Sequence, residues 1–158
     1  MASAASDPVG AIQNRVHARE DGIRGGGLTA LLWLQGLYYF ATGVWPLVSI
    51  ETFQLVTGPK TDHVLTGREG DHWLVMTVGV LVSAIGLALL TAAWRRATSP
   101  EGIVLALGSA LGLTAIDVIY VYRGVIGPIY LTDAAAEVLL ILAWLVILLQ
   151  QQRAPWAR

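Results

Sequence analysis

The sequence contains no cysteine and a single lysine, Lys60, and only 13% of its 158 residues are charged. The absence of cysteine excludes disulfides, thiolate nucleophiles, iron–sulfur clusters and thiolate zinc sites. A retinal Schiff base is excluded as well, because it needs a lysine within a membrane helix and Lys60 lies in a predicted loop. P-loop, GxGxxG, GxSxG and HExxH motifs are missing, so nucleotide-binding, hydrolase and zincin chemistry are unsupported.

Long hydrophobic runs dominate what is present. Hydrophobic residues make up 55% of the chain, and the mean hydropathy is +0.62. A soluble domain carries roughly 25% charged residues, whereas a run of about 20 apolar residues is long enough to cross a bilayer. The composition therefore predicts an integral membrane protein. The net charge of −1 gives no indication of nucleic-acid binding, and none is expected.

Four apolar runs predict an all-α fold, a four-helix transmembrane bundle. The spans are expected at about 28–50, 72–94, 102–122 and 131–152. Pro46 is expected to kink or end the first span near its outer end. Residues 51–71 are expected to form the longest loop.

The two ends of the chain are polar. Residues 1–27 are expected to be a flexible cytoplasmic tail, with Ile12–Glu20 as a candidate surface helix, and residues 153–158 a short cytoplasmic tail. The N-terminal stretch has no apolar core of a signal peptide, so the first hydrophobic run is expected to stay as a spanning helix.

Positive charge is distributed unevenly between the predicted loops. Seven of the ten lysine and arginine residues fall in the two tails and in the connection between the second and third spans. The positive-inside rule then places both termini in the cytoplasm, N-in/C-in. The expected location is a multi-pass position in a cell membrane, the bacterial plasma membrane (cell inner membrane).

Acidic residues concentrate in the stretch Asp117–Glu137. Asp117 lies on the third predicted span, whereas Asp133 and Glu137 are four residues apart and share one face of the fourth. A carboxylate in hydrocarbon costs about 2.5–3.5 kcal/mol on insertion scales, so acids here call for a structural or functional reason. Arg123 is expected to pair with at least one of them, or one of them to carry a proton.

Polar side chains nearby complete a candidate site. Tyr38 and Gln35 belong to a polar stripe on the first span, and tyrosine hydroxyls are candidate hydrogen-bond donors. Tyr39 and Trp45 are expected to anchor the first span at the membrane interface. The cluster serves either as a polar cap that locks the helices together or as a ligand-binding or proton-handling site. Its predicted members are Asp117, Asp133, Glu137, Arg123, Tyr120, Tyr130, Tyr38 and Gln35.

Two histidines of the first loop region, His63 and His72, each follow an aspartate. Two histidines with a carboxylate suit zinc or iron. Their spacing of nine residues matches no known ligand pattern, so no metal site is predicted. Haem is disfavoured because no histidine lies deep in a span, and no cofactor is predicted.

Small residues mark helix-packing surfaces. Gly79, Ser83 and Gly86 on the second span suit close helix contact. Gly108 and Gly112 form a GxxxG pattern on the third span, which predicts helix packing and is a candidate contact for a homo-oligomer.

The stretches GLYYFATGVWPLVS, TGPKTD, DHWLVMTVGVL and DVIYVYRGVIGPIYLTDAAAE resemble small four-helix bacterial membrane proteins, DoxX-like in layout. A looser resemblance is to EXPERA proteins, whose four- or five-span bundles surround an amphipathic ligand with intramembrane acids. This chain departs from that pattern because its acids lie on the third and fourth spans and no intramembrane histidine accompanies them. Neither resemblance assigns a catalytic residue.

These observations predict an integral membrane protein whose outward-facing pocket of acids and tyrosines binds a small amphipathic or cationic molecule, or a partner subunit. Membrane lipids surround it. The alternative is a membrane-embedded enzyme, a lipid or quinone isomerase or oxidoreductase that uses the same carboxylates as acid and base. The enzyme would need a cavity open to the bilayer or the surface, whereas a packed core with every acid paired would favour a structural role.

Overall fold

A computed structural model of the chain describes residues 8–58 and 72–152, with side chains from residue 26 onward. Over these ranges all regular secondary structure is helical. By length and composition, three of the helices can cross a membrane, as a multi-pass membrane protein requires. The all-α prediction is confirmed. The helices are α1 (Pro8–Val48), α2 (Ile50–Thr57), α3 (His72–Trp94), α4 (Pro100–Tyr122) and α5 (Tyr130–Gln152).

The three helices that can cross the membrane are α3, α4 and α5, and they follow the predicted bounds to within two residues. The first half of the chain differs more. The helix expected over 28–50 runs from Pro8 to Val48, so the predicted tail is helical from Pro8 onward. Each glycine of Gly25–Gly27 costs only about 1 kcal/mol relative to alanine, which a long helix tolerates. Residues 1–7 and 153–158 lie outside the described ranges.

The predicted loop 51–71 begins with a helix, α2. Its N-cap is Ser49, whose backbone is extended (φ −152°, ψ 101°) and whose hydroxyl accepts the backbone N–H of Thr52 at 3.4 Å. The Ser49 hydroxyl also donates to Glu51 Oε2 at 3.0 Å. The pKa of Glu51 is lowered, chiefly by its own backbone N–H and then by this hydroxyl. A single capping serine therefore restarts the helix where a loop was expected.

The corner between α1 and α2 is held by Trp45. Its indole Nε1 donates to Thr52 Oγ1 at 3.0 Å, and its ring meets the edge of Phe53 with 5.7 Å between centroids. Pro46 lies inside α1, two residues before the helix ends, in agreement with the expected stop. These contacts hold the start of α2 against the end of α1, and Gln54 of α2 contacts His72 at the start of α3.

Glycines bring α1 and α3 into close contact. A Cβ atom added to Gly86 would lie 2.5 Å from the backbone nitrogen of Phe40, and one added to Gly43 would lie 2.6 Å from that of Ser83. Gly79 meets the carbonyl oxygen of Gly43 in the same way, at 2.7 Å. The prediction that Gly79, Ser83 and Gly86 form a close helix contact is confirmed, and we call this contact the glycine seam.

The other helices pack less evenly. Helix α4 packs on α5, α1 contacts α5 and so joins the two pairs, and α3 contacts α4 only sparsely. The core lies where the end of α3 and the start of α4 meet α1 and α5. Its central residues are each 1% exposed or less: Leu32, Leu89, Ala106 and Trp144.

The GxxxG pattern of α4 faces away from this core. Ala106 and Ala110 are fully buried, whereas a Cβ atom added to Gly108 or Gly112 would meet nothing within 4 Å. The prediction that these two glycines pack helices together is wrong within this chain. Alanine on the opposite face of α4 makes the contact instead.

We predict that Gly86→Ala destabilises the protein by about 1–3 kcal/mol, because the new methyl group overlaps the backbone of α1. The matched control is Gly108→Ala, which meets open space and raises helix propensity by up to about 1 kcal/mol. Thermal unfolding of both variants in the same detergent compares them. An unchanged melting temperature for Gly86→Ala would contradict the tight glycine seam.

Candidate functional site

Glu137 is the most deeply placed acid of the bundle. It is fully buried on α5, and the hydroxyl of Tyr39, itself 1% exposed, donates to its Oε2 at 2.9 Å. Its other oxygen, Oε1, is buried with no hydrogen-bond partner among the described residues. A polar atom in that position is expensive unless it is satisfied, so Oε1 is a ready acceptor for a donor that enters the bundle.

A second pair lies one helical turn closer to the start of α5. The hydroxyl of Tyr38 donates to Asp133 Oδ1, and Thr42 Oγ1 donates to the carbonyl of Tyr38 at 2.8 Å. Neighbouring residues on a helix point about 100° apart, so Tyr38 and Tyr39 leave α1 in different directions. Because Asp133 and Glu137 are four residues apart on one face of α5, the two adjacent tyrosines reach one acid each.

A third contact lies deeper, at Gln35. Its Nε2 donates to the carbonyl oxygen of Ala106 at 2.8 Å, and its Oε1 accepts the indole N–H of Trp144 at 2.8 Å. Gln35 and Trp144 are both fully buried. One amide therefore ties α1 to α4 and α5, and the two ends of that amide are both satisfied, as a water-free interior requires.

A cavity of about 1150 Å³ adjoins the two tyrosine–acid pairs. All five helices and the connection between α4 and α5 contribute to its wall. The carboxylates of Asp117, Asp133 and Glu137 all line it, and the described lining residues include no lysine, arginine or histidine. Much of the remaining surface is aliphatic or aromatic, so the cavity is an apolar chamber with acidic groups on one side.

Asp117 completes the acidic side from α4. It is 6% exposed and lines the same cavity as Asp133 and Glu137. Three acids of two helices thus share one volume. The predicted cluster of Asp117, Asp133 and Glu137 corresponds to one place in the structure.

The remaining predicted site residues are distributed unevenly. Tyr38, Tyr120 and Tyr130 line the cavity, whereas Gln35 lies beside it in the core. Arg123 is exposed, and its guanidinium lies 5.9 Å from the centroid of the Tyr120 ring. Tyrosine hydroxyls of α1, rather than Arg123, are the partners of Asp133 and Glu137.

Two residues of the site were not predicted as part of it. Tyr39, expected to be an interface anchor, is buried against Glu137, and Trp144 bonds Gln35. The sequence contained a signal for both, since Tyr39 is four residues from Gln35 and Trp144 is seven from Glu137. Of the predicted anchors, Trp45 stays partly exposed, at 38%.

Of the two histidines considered as metal ligands, His72 lies within the described residues and does not line the cavity. His72 opens α3, and its Nε2 is 2.8 Å from Nε2 of Gln54. His63 lies outside the described ranges. Within 8–58 and 72–152, no three histidine, aspartate or glutamate residues are grouped so that they could hold a metal ion.

Comparison with protein-family models, with curated proteins and with solved structures finds no match for this chain. The DoxX-like and EXPERA resemblances therefore stay predictions. The site itself combines carboxyl groups, which accept hydrogen bonds and can carry negative charge, with tyrosine hydroxyls and an apolar wall.

We predict that Tyr39→Phe lowers the free energy of unfolding by about 1–3 kcal/mol, because it removes the hydrogen bond to a fully buried carboxyl group. Thermal unfolding in detergent measures the change. Tyr122→Phe is the matched control, since Tyr122 is 92% exposed. Equal melting temperatures for the two variants would show that the Tyr39–Glu137 bond does not stabilise the bundle.

Proposed function

We propose that this protein binds small amphipathic cations inside the membrane. The proposal rests on the composition of the cavity wall. The cavity has a volume of about 1150 Å³, and its described lining residues include three carboxylates and no basic residue. A ligand pocket typically encloses roughly 300–1,000 Å³, so the volume is ample for a small organic molecule.

The chemistry of the wall favours a positively charged head on an apolar body. An ammonium group can donate to more than one carboxylate oxygen at once. Charge attraction strengthens where water is excluded, and it offsets the cost of removing the cation from water where hydrogen bonds also satisfy both charged groups. Aromatic rings at Trp45, Phe53 and Tyr120 line the same cavity and can hold an apolar body or the face of a cation.

We further propose that α1 provides a fourth span from about residue 28 onward, which makes the molecule a four-helix transmembrane bundle. Support comes from its position, since α1 packs along α3, contacts α5 and supplies the hydroxyl partners of two membrane acids. With the N-in/C-in orientation that the arginine distribution favours, the cavity lies at the outer end of the bundle, opposite Arg95 and Arg96. The proposed location is the bacterial plasma membrane.

The proposed topology can be tested with single cysteines, because the natural chain has none. We expect Val125→Cys, in the connection between α4 and α5, to react with an impermeant maleimide added to intact cells. Thr98→Cys, in the connection between α3 and α4, should react only after the membrane is permeabilised. Labelling of both residues on the same side, or with the two sides exchanged, would contradict the orientation.

Partners other than the ligand are proposed from the surface. The exposed leucines and valines of the spans would contact membrane lipids. Gly108 and Gly112 leave an exposed groove on α4 in which a second copy of the chain could pack closely, and this contact is proposed as the route to a homo-oligomer.

The enzymatic alternative stays a prediction. A cavity with acids in its wall is what a lipid or quinone isomerase or oxidoreductase would also need. An enzyme would differ from a binding protein in one measurable way: the bound molecule would be released chemically changed.

We predict that adamantylamine binds the protein in lipid nanodiscs, and that adamantanol and adamantanecarboxylate bind at least tenfold more weakly. The three probes share one apolar body and differ only in the head group. Asp133→Asn should weaken amine binding by roughly ten- to a hundredfold, the equivalent of one charge-assisted hydrogen bond of about 1.5–3 kcal/mol. Isothermal titration against empty nanodiscs gives the affinities.

The matched control is Thr132→Val, which alters an uncharged residue of the same cavity wall next to Asp133. It should leave amine binding unchanged. Asparagine can still accept the hydrogen bond of Tyr38, so Asp133→Asn tests charge while the helix contact is kept. Equal affinity for the three head groups would rule out a cation site.

A further inference from the structure

Helices α3 and α4 separate as they leave their short connection. Near the connection, Leu89 and Ala93 of α3 and Ala106 of α4 are buried in one hydrophobic core. Toward the other end, Val78 of α3 and Ile116 of α4 are 46% and 52% exposed. Both of these residues also line the cavity. The two helices contact each other only sparsely, so we infer a cleft between them at Val78 and Ile116 that leads from the cavity to the outer surface of the bundle.

Val78 and Ile116 lie at one depth. Val78 is sixteen residues before the end of α3, and Ile116 is sixteen residues after the start of α4. The short connection reverses the chain, so each lies about 24 Å from it at ~1.5 Å per residue. Glu137 is seven residues into α5 from the other end, which is close to the same level. The cleft therefore opens beside the acids and within the hydrocarbon region.

We propose that the ligand is a long-chain amine of the bilayer. Its ammonium group would lie among Asp117, Asp133 and Glu137, and its alkyl tail would leave the cavity between Val78 and Ile116 into the lipid. This inference rests on the proposed cation-binding function and adds the class of ligand and its route. Charge complementarity selects the head group, and an apolar opening at the depth of the acids selects a tail that stays in hydrocarbon.

A compact cation would use only half of this arrangement. It would fill the acidic side of the chamber and gain nothing from an apolar cleft into the membrane. A long-chain amine packs its tail along both helices, and these van der Waals contacts add to its partition into the lipid. The structure therefore predicts that affinity increases with chain length beyond the increase caused by partition into lipid alone.

The experiment uses butylamine, octylamine and dodecylamine as tritiated probes on protein-containing nanodiscs. Empty nanodiscs give the partition of each amine, so affinity is expressed relative to its concentration in the bilayer. The double variant Val78→Cys/Ile116→Cys, made in a chain with no other cysteine, is then joined with a short bismaleimide. We expect the cross-link to weaken dodecylamine binding at least tenfold and to leave butylamine binding unchanged.

The controls are the same double variant without the cross-linker and each single cysteine capped with a monofunctional maleimide. If the cross-link fails to form, Val78→Trp/Ile116→Trp fills the cleft and carries the same expectation. Equal affinity for the three amines, or no effect of closing the cleft, would contradict the proposal that the alkyl tail leaves the cavity between α3 and α4. Neither result would contradict cation binding itself. Absence of binding for every amine overturns the proposed function as well.

Discussion

A buried carboxyl group in a membrane must find its hydrogen-bond donors in the protein, because no water is there to provide them. Glu137 is fully buried, and the arrangement of the bundle follows from this requirement. Helix α1 provides the donors, with Tyr39 bonded to Glu137 and Tyr38 to Asp133. Contact between α1 and α5 is thus specified by hydrogen bonds, which fix the rotation of both helices more sharply than apolar packing does.

The polarity of α1 is the consequence of that role. Gln35, Tyr38 and Tyr39 make α1 less apolar than α3, α4 and α5. By length and composition alone, those three are the described helices that can cross a membrane. Gln35 also bonds Ala106 and Trp144. A helix that satisfies polar groups on two neighbours is the centre of the bundle, although its own sequence is the weakest membrane signal in it.

Local sequence features predicted the parts of the fold that depend on local chemistry. The bounds of α3, α4 and α5 follow from apolar runs that end at charged or turn-forming residues, and the spacing of Asp133 and Glu137 indicated a shared helix face. Tyr39 was assigned to the wrong surface because its role depends on how α1 is rotated against α5. The cavity could not be predicted either, since its wall combines residues of all five helices and depends on how those helices pack.

That separation has a cause in the glycines. Gly36 and Gly43 on α1 and Gly79 and Gly86 on α3 are each seven residues apart, so both pairs keep to one face and let the two backbones approach along two helical turns. Helix α3 therefore follows α1 closely. Helix α4 is held instead to α5 and, through Gln35, to the deeper part of α1. Because α3 and α4 each follow a different partner, they diverge from their shared turn and leave room for the cavity, whose wall is shared by all five helices. The same glycines that tighten one interface thus open the other.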